Sequence, residues 1–321
     1  MKKVIVFAIV VVVAGYFGAK WHLHGKVRDS VDSAVDMARP FATIRYDGIS
    51  STLSGELTVD GVRATVKGFR DEIYIERIGI DTPSFLSLLA LADVTKKAES
   101  PEDALPGYFG LIAEGMRVPV NADYFRALYD MHTDAYARED GREAATECVG
   151  KYGFSPATLA ALGYDAQVVS MRAVFREEGS RFRMEMHWST ADMWDFDVDM
   201  TFVGSMWNEL SRGIAFRPKM SNMSIRYTDR SLKQRVRRLC GERGLSDEEI
   251  VAAQLDAFQY IGESNGIEFD DYVMGPYREF LDGKSTLVFT AKPSEPVALS
   301  QIGLYKPSDV PALLDLSASA L

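Results

Sequence analysis

The chain has 321 residues, 47% hydrophobic and 26% charged, which is enough for a sizeable core. Acids outnumber bases 46 to 36, for a formal charge of −10. That balance argues against a broad nucleic-acid surface, so no nucleic-acid partner is expected.

The chain opens MKKVIVFAIVVVVAGYFGAKWHLHGK, and no charge falls between Val4 and Ala19. As a helix this run reaches roughly 24 Å, slightly short of a bilayer core of about 30 Å. Tyr16, Trp21 and a snorkelling Lys20 extend the match at an interface. Lys2 and Lys3 favour a cytoplasmic N-terminus, although Lys20, Lys26 and Arg28 stand on the other side. Residues 1–24 therefore read first as an uncleaved membrane anchor. A cleaved signal and a buried helix remain the alternatives, the small-x-small cleavage pattern being poor. Residues 25–40 place Val27, Val31, Ala34, Val35 and Ala38 at helical spacing, a stalk that Pro40 interrupts.

Residues 41–120 are sheet-rich. In GELTVDGVRATVKG, Leu57 and Val59 alternate with polar residues, and after Gly61 the apolar set shifts phase to Val62, Ala64 and Val66. Period two marks a half-buried strand, and the shift at Asp60-Gly61 predicts a hairpin or a bulge. Ile73, Ile75, Ile78 and Ile80 predict the next strand. Residues 121–163 are helical, with one helix starting near Asn121 and carrying His132. A second is framed by Ser155, Pro156 and Gly163 as cap, first-turn proline and terminator.

Residues 164–321 form an α+β region. In WDFDVDMTF, Asp195, Asp197, Asp199 and Thr201 share one strand face. Phe196, Val198, Met200 and Phe202 share the other, which is the candidate lipid-facing strand. Many large apolar side chains lie from Met184 to Trp207, for a core first and a lipid groove second. SLKQRVRRLC changes to helical period, and Ser246 followed by Glu249 signals a capping box ahead of another helix. STLVFTAKPSEPVAL then reads as strand, proline-rich turn and short strand.

The chemical motifs are sparse. No catalytic, metal-binding or cofactor-binding residues are assigned and no cofactor is expected: HExxH and phosphate-loop patterns are missing from the sequence. The acids at Asp195, Asp197 and Asp199 lie roughly 6–7 Å apart along a strand, too far apart for a cation without side-chain convergence. Export would permit a disulfide between Cys148 and Cys240, stabilising by about 4 kcal/mol in the chain-entropy model; two buried thiols are the alternative.

The N-terminal segment followed by YDGISSTLSGELTVDGV resembles AsmA-like membrane-anchored proteins of the bacterial envelope. IRYTDRSLKQRV and the ending GKSTLVFTAKPSEPVAL resemble periplasmic proteins of the YdgA-like kind. The resemblance implies residence at the bacterial inner membrane as a single-pass protein with its C-terminal domain in the periplasm. It also implies handling of phospholipid or another envelope lipid, and it carries over no catalytic residue. The expected fold is α+β: an N-terminal transmembrane helix followed by a curved antiparallel sheet with packed helices. The expected function is lipid binding or assistance to envelope assembly. A structural or protein-interaction module with an envelope protein as partner is one alternative, and an envelope hydrolase is another.

Overall fold

The computed structural model describes residues 2–97, 107–136, 146–150, 154–204, 218–267, 269–302 and 304–321. Its framework is one antiparallel sheet of 12 strands. Helix α1 (Lys2–Ala38) leads into β1 (Ala42–Arg45), β2 (Gly48–Ser51), β3 (Glu56–Val66) and β4 (Glu72–Asp81). Helix α2 (Phe85–Lys97) precedes β5 (Tyr108–Pro119). Helices α3 (Asp123–Tyr136) and α4 (Pro156–Ala161) lie between β5 and β6 (Ala166–Glu178). Strands β7 (Arg181–Thr190), β8 (Trp194–Val203) and β9 (Lys219–Asp229) continue the meander. Helices α5 (Leu232–Glu242), α6 (Asp247–Ser264) and α7 (Asp271–Leu281) then separate β9 from β10 (Thr286–Ala291). A short β11 (Val297–Ala298), helices α8 (Leu299–Ile302) and α9 (Val310–Leu313) and the edge strand β12 (Leu316–Ala320) complete the order.

The expected fold class is corrected in two respects. First, one sheet dominates in place of an α+β arrangement: β5 pairs with β6 from Tyr108↔Arg176 to Pro119↔Ala166, so the sheet continues across the helical insertion. The fold is mostly antiparallel sheet. Secondly, among the described residues no helix is long and apolar enough to cross a membrane, so the expected transmembrane helix is not found. The physical reason is visible along α1, which runs 37 residues without a break into its polar half. Tyr16, Ala19 and Val27 pack around Leu23, which is only 1% exposed, against Leu57, Phe85 and Leu88. Lys20 donates to the Ser51 carbonyl at 3.0 Å, and His24 Nε2 lies 2.8 Å from Ser51 Oγ. Burial and the nearby Lys20 and Arg28 charges hold the His24 imidazole below its ordinary pKa. This stretch of α1 covers a sheet edge, while Phe17 and Trp21 stand free at 62% and 81% exposure.

The phase shift at Gly61 is shared by three neighbouring strands. Register on the β3–β4 ladder is the same on both sides of it, from Leu57↔Ile80 to Val62↔Ile75, so no hairpin forms there. The apolar set moves by one residue on β3 (Val59 to Val62), β4 (Ile78 to Ile75) and β5 (Ala113 to Met116) at the same level. Gly61 and Gly115, on β3 and β5, both adopt φ of 63°, a region that suits glycine. The β5–β6 register slips by one between Ala113 and Met116, as a bulge requires. On the outer side, β1 and β2 are two pieces of one line, broken where Asp47 fills the space beside Gly61 and pairs with Arg63 at 2.7 Å.

Helices cluster on the apolar sheet face. Helices α6 and α7 pack Leu255, Phe280 and Leu281 on Leu287, Tyr227 and Phe289. The α9 side chains Val310 and Leu313 and the nearby Ile302 pack against Phe182, Phe202 and Met220. At the strand ends, Leu159, Leu162, Tyr164, Met193, Val236 and Ile250 enclose Cys148 and Cys240, which are bonded across 92 positions with Cα atoms 5.6 Å apart. The local signals at α4 and α6 have their physical counterparts. Ser155 accepts from the Thr158 N–H, and Ser246 and Glu249 form a reciprocal capping box.

Candidate functional site

Pairing registers bring residues from five strands into one apolar row. Ile78 lies opposite Ala113, Ala113 opposite Met171, Met171 opposite Trp188, and Trp188 opposite Phe196. A second row runs Ile80, Leu111, Ala173, Met186 and Val198 beside it. Large apolar side chains in such a row are normally covered. Here Ile78 is 38% exposed, Leu111 39%, Met171 36% and Trp188 40%. The floor between them is closed, with Ala173 and Val198 buried. From β4 to β8 the row crosses four strand spacings, about 19 Å. Helices α1 and α2 pack at its β3 side, around Leu57 and Ile80, and α6 and α7 at its β9–β10 side, around Tyr227 and Phe289. Contiguous exposed apolar surface of this kind marks a ligand, membrane or protein contact.

The four residues assigned to the lipid-facing strand do share the apolar face of β8, but they are not equally accessible. Val198 and Phe202 are 6% and 4% exposed, while Phe196 and Met200 are half-buried. Phe202 and Met200 belong to the core under α9. The accessible part lies one to four strands away, on Trp188, Met171, Leu111 and Ile78. Tyr227 closes the row against the helices, its ring 5.6 Å from Phe280 and 6.3 Å from Trp194, and burial pushes its phenol pKa far up. Trp194 in turn meets Trp188 edge-on at 5.4 Å. His132 of α3 and the Met206-Trp207 pair lie outside the residues whose side chains are described.

The opposite face is polar and crosslinked. Asp195 accepts from Arg230 Nε at 2.6 Å, Asp197 Oδ1 lies 2.7 Å from His187 Nδ1, and Asp199 accepts from Arg183 Nε at 3.1 Å. Each acid of DFDVD thus has its own basic neighbour, and none is left to share a cation. Among the described residues no group of three or more His, Cys, Asp or Glu converges for a metal. Of these residues His187, Asp197 and Asp199 line a shallow groove of about 550 Å³ with Tyr108, Arg172 and Arg226. Tyr108 Oη donates to Asp81 at 2.7 Å, and Arg172 binds the same carboxylate oxygen at 2.5 Å. The His187–Asp197 pair has the geometry of a base and its orienting acid. Among the described residues, however, no hydroxyl is hydrogen-bonded to His187, and both side chains are about half exposed. Water is not excluded and no nucleophile is presented, so the pair reads as a cross-strand contact.

A polar clamp secures the helical layer that bounds the apolar row. Lys233 of α5 donates to the Phe280 carbonyl at 2.6 Å and also to the Lys284 carbonyl, with its ammonium 3.7 Å from the Phe280 ring centroid. Burial holds its pKa below the ordinary lysine value and pushes that of the neighbouring Asp229 carboxyl up. Arg235 donates to the Leu162 and Gly163 carbonyls at 3.1 and 3.0 Å, satisfying the open end of α4. The sequence marks SLKQRVRRLC as a basic helix. In the structure Lys233 and Arg235 are spent on these internal carbonyls.

Residues 181–321 match a family model described as an uncharacterized protein. The matched span runs from β7 to the end of the chain, so it includes Trp188, Phe196 and the three helices α5–α7 but not Ile78, Leu111 or Met171. No curated protein matches the chain.

Proposed function

We propose that this chain is a lipid-binding protein of the bacterial cell envelope that seats acyl chains along the open apolar row of its sheet. The observation that carries the reading is the exposure of Ile78, Leu111, Met171 and Trp188 in one continuous patch with a closed apolar floor. Its length of about 19 Å exceeds one leaflet's hydrocarbon depth, about 15 Å, so an extended chain can lie along it. Burial of apolar surface supplies the driving force, at about 25 cal/mol per Å². The Cys148–Cys240 bridge supports residence in an oxidising compartment such as the periplasm. The resemblance to envelope proteins points the same way.

The test is native mass spectrometry of the full chain extracted in mild detergent, beside the double variant Met171→Glu/Trp188→Glu. The reading expects phospholipid retained by the wild type and lost from the variant at an unchanged melting temperature. A lipid-free wild type under several gentle extractions rejects it and favours a protein-interaction module that uses the same patch.

A further inference from the structure

Helices α6 and α7, with Arg237 of α5, line a groove of about 780 Å³ that shares no lining residue with the apolar sheet row and is independent of the reading above. Its α6 wall runs from Glu248 through Val251 and Leu255 to Gln259, positions three or four apart and so on one face. That wall is about 16 Å long, roughly three helical turns. Val251, Leu255 and Met274 supply an apolar floor. Small residues keep it open: Ala252 is exposed, and a Cβ built on Gly275 would meet nothing within 4 Å.

The rim is acidic. Asp247, Glu248, Asp256, Asp271 and Asp282 line the groove against two bases, Arg237 and Arg278, five minus two leaving a local charge of −3. Among the described residues none of the five carboxylates forms an ion pair, and the Arg237 guanidinium is spent on the Leu281 carbonyl. Three of the acids are explained by their helices, because Asp247, Glu248 and Asp271 sit in first turns, where the dipole favours negative charge. The other two are not. Asp256 is mid-helix and forms no ion pair among the described residues, and Asp282 caps the C-terminus of α7, where the dipole opposes it, one turn after Arg278. A rim with a net charge of −3 over an apolar floor is complementary to a ligand that is cationic and apolar at once.

We infer that this groove docks a cationic amphipathic helix of a partner protein. The partner's apolar stripe lies on Val251, Leu255 and Met274, and its lysines or arginines meet Asp256 and Asp282. A groove of this length accepts about three helical turns, the mode in which i, i+4 and i+7 anchors are read. An anionic headgroup or an acidic peptide is repelled by the same rim.

The full chain is titrated with a fluorescent 18-residue leucine–lysine helical peptide and with its leucine–glutamate counterpart, at two salt concentrations. The expected result is binding of the basic peptide alone, weakened by salt. Asp256→Asn/Asp282→Asn should weaken it roughly 3- to 10-fold. Ala252→Trp, which fills the groove from an exposed helical position, should weaken it by about 10-fold. Thermal melting checks that each variant is folded. Glu177→Gln/Glu178→Gln changes the net charge equally on distant β6 and should leave the affinity within about twofold. The inference is overturned by no binding, by equal binding of the acidic peptide, by indifference to Ala252→Trp, or by equal effects of the two charge-neutralising pairs.

Discussion

Gly115 of β5 stands so close to Glu76 of β4 that a Cβ on the glycine would lie 2.8 Å from the Glu76 Cβ. With φ of 63° the position is also unfavourable for any side chain. Both costs fall on Gly115→Ala, which should lose about 3 kcal/mol in urea denaturation. Gly179, in the β6–β7 turn, has the nearly equal φ of 64° but open space around it. Gly179→Ala should therefore lose only the conformational part, about 1 kcal/mol. Equal losses at the two sites would mean that the contact with Glu76 contributes nothing.

How much of this molecule could be read from its residues follows the range of the interactions. The alternation on β8 and the Ser155 and Ser246 caps are local, set by neighbours one to four positions apart, and each can be read directly; the phase shift at Gly61 is visible as well, but the hairpin or bulge expected from it does not form on the β3–β4 ladder, because β3, β4 and β5 shift together. The open row is not local. Ile78 and Trp188 are 110 positions apart, and they share a face only because each intervening pairing register places Ala113 and Met171 between them. The same limit misplaces the accessible part of the candidate site onto β8. Alternation identifies Val198 and Phe202 as apolar-facing, but it is blind to the α9 segment that covers Phe202 from more than 100 residues away. The reading of α1 fails for a related reason. Hydropathy records the uncharged run from Val4 to Ala19, but not that Tyr16 and Ala19 at its end, with Leu23 beyond it, pack against Leu57, Phe85 and Leu88.

The Cys148–Cys240 bridge ties the turn before α4 to the last turn of α5, and both cysteines are fully buried. Loss of the crosslink frees a long loop in the unfolded chain, worth about 4 kcal/mol in the chain-entropy model. Cys148→Ala/Cys240→Ala should lower the urea midpoint accordingly, and dithiothreitol should lower the wild type's midpoint but not the variant's. A wild type indifferent to reductant, with free thiols detected under native conditions, would show that the cysteines are unpaired.

Diagonal neighbours on the β7–β8 ladder should respond unequally to a charge. Val198 is buried, so Val198→Glu puts an unpaired carboxylate into the core and should cost at least about 3 kcal/mol. Trp188 is 40% exposed, and Trp188→Glu keeps its carboxylate hydrated, so the cost should stay within about 1 kcal/mol. Chemical denaturation of the two single variants decides it. A Trp188 variant as damaged as the Val198 variant would mean that the row is part of the core and not a surface that can receive a ligand.

Asp229 sits at the junction of β9 and α5, where its carboxylate accepts the Lys233 backbone N–H at 3.0 Å. Burial raises its pKa above the ordinary 3.8, against the opposing pull of that N–H and of the Lys233 ammonium. Above pH 3.8 the folded state therefore holds this proton more tightly than the unfolded state. The stabilisation is fully present below pH 3.8 and is lost as pH rises through the elevated folded value. Asp229→Asn removes the titration while leaving an oxygen to accept the N–H. Relative to wild type, the asparagine variant should be least favourable near pH 3.5 and should gain between pH 4 and pH 7. Urea midpoints of both proteins across that range test the sign. A variant that loses ground with rising pH would show that the Lys233 charge outweighs burial and that the carboxylate is favoured in the folded state.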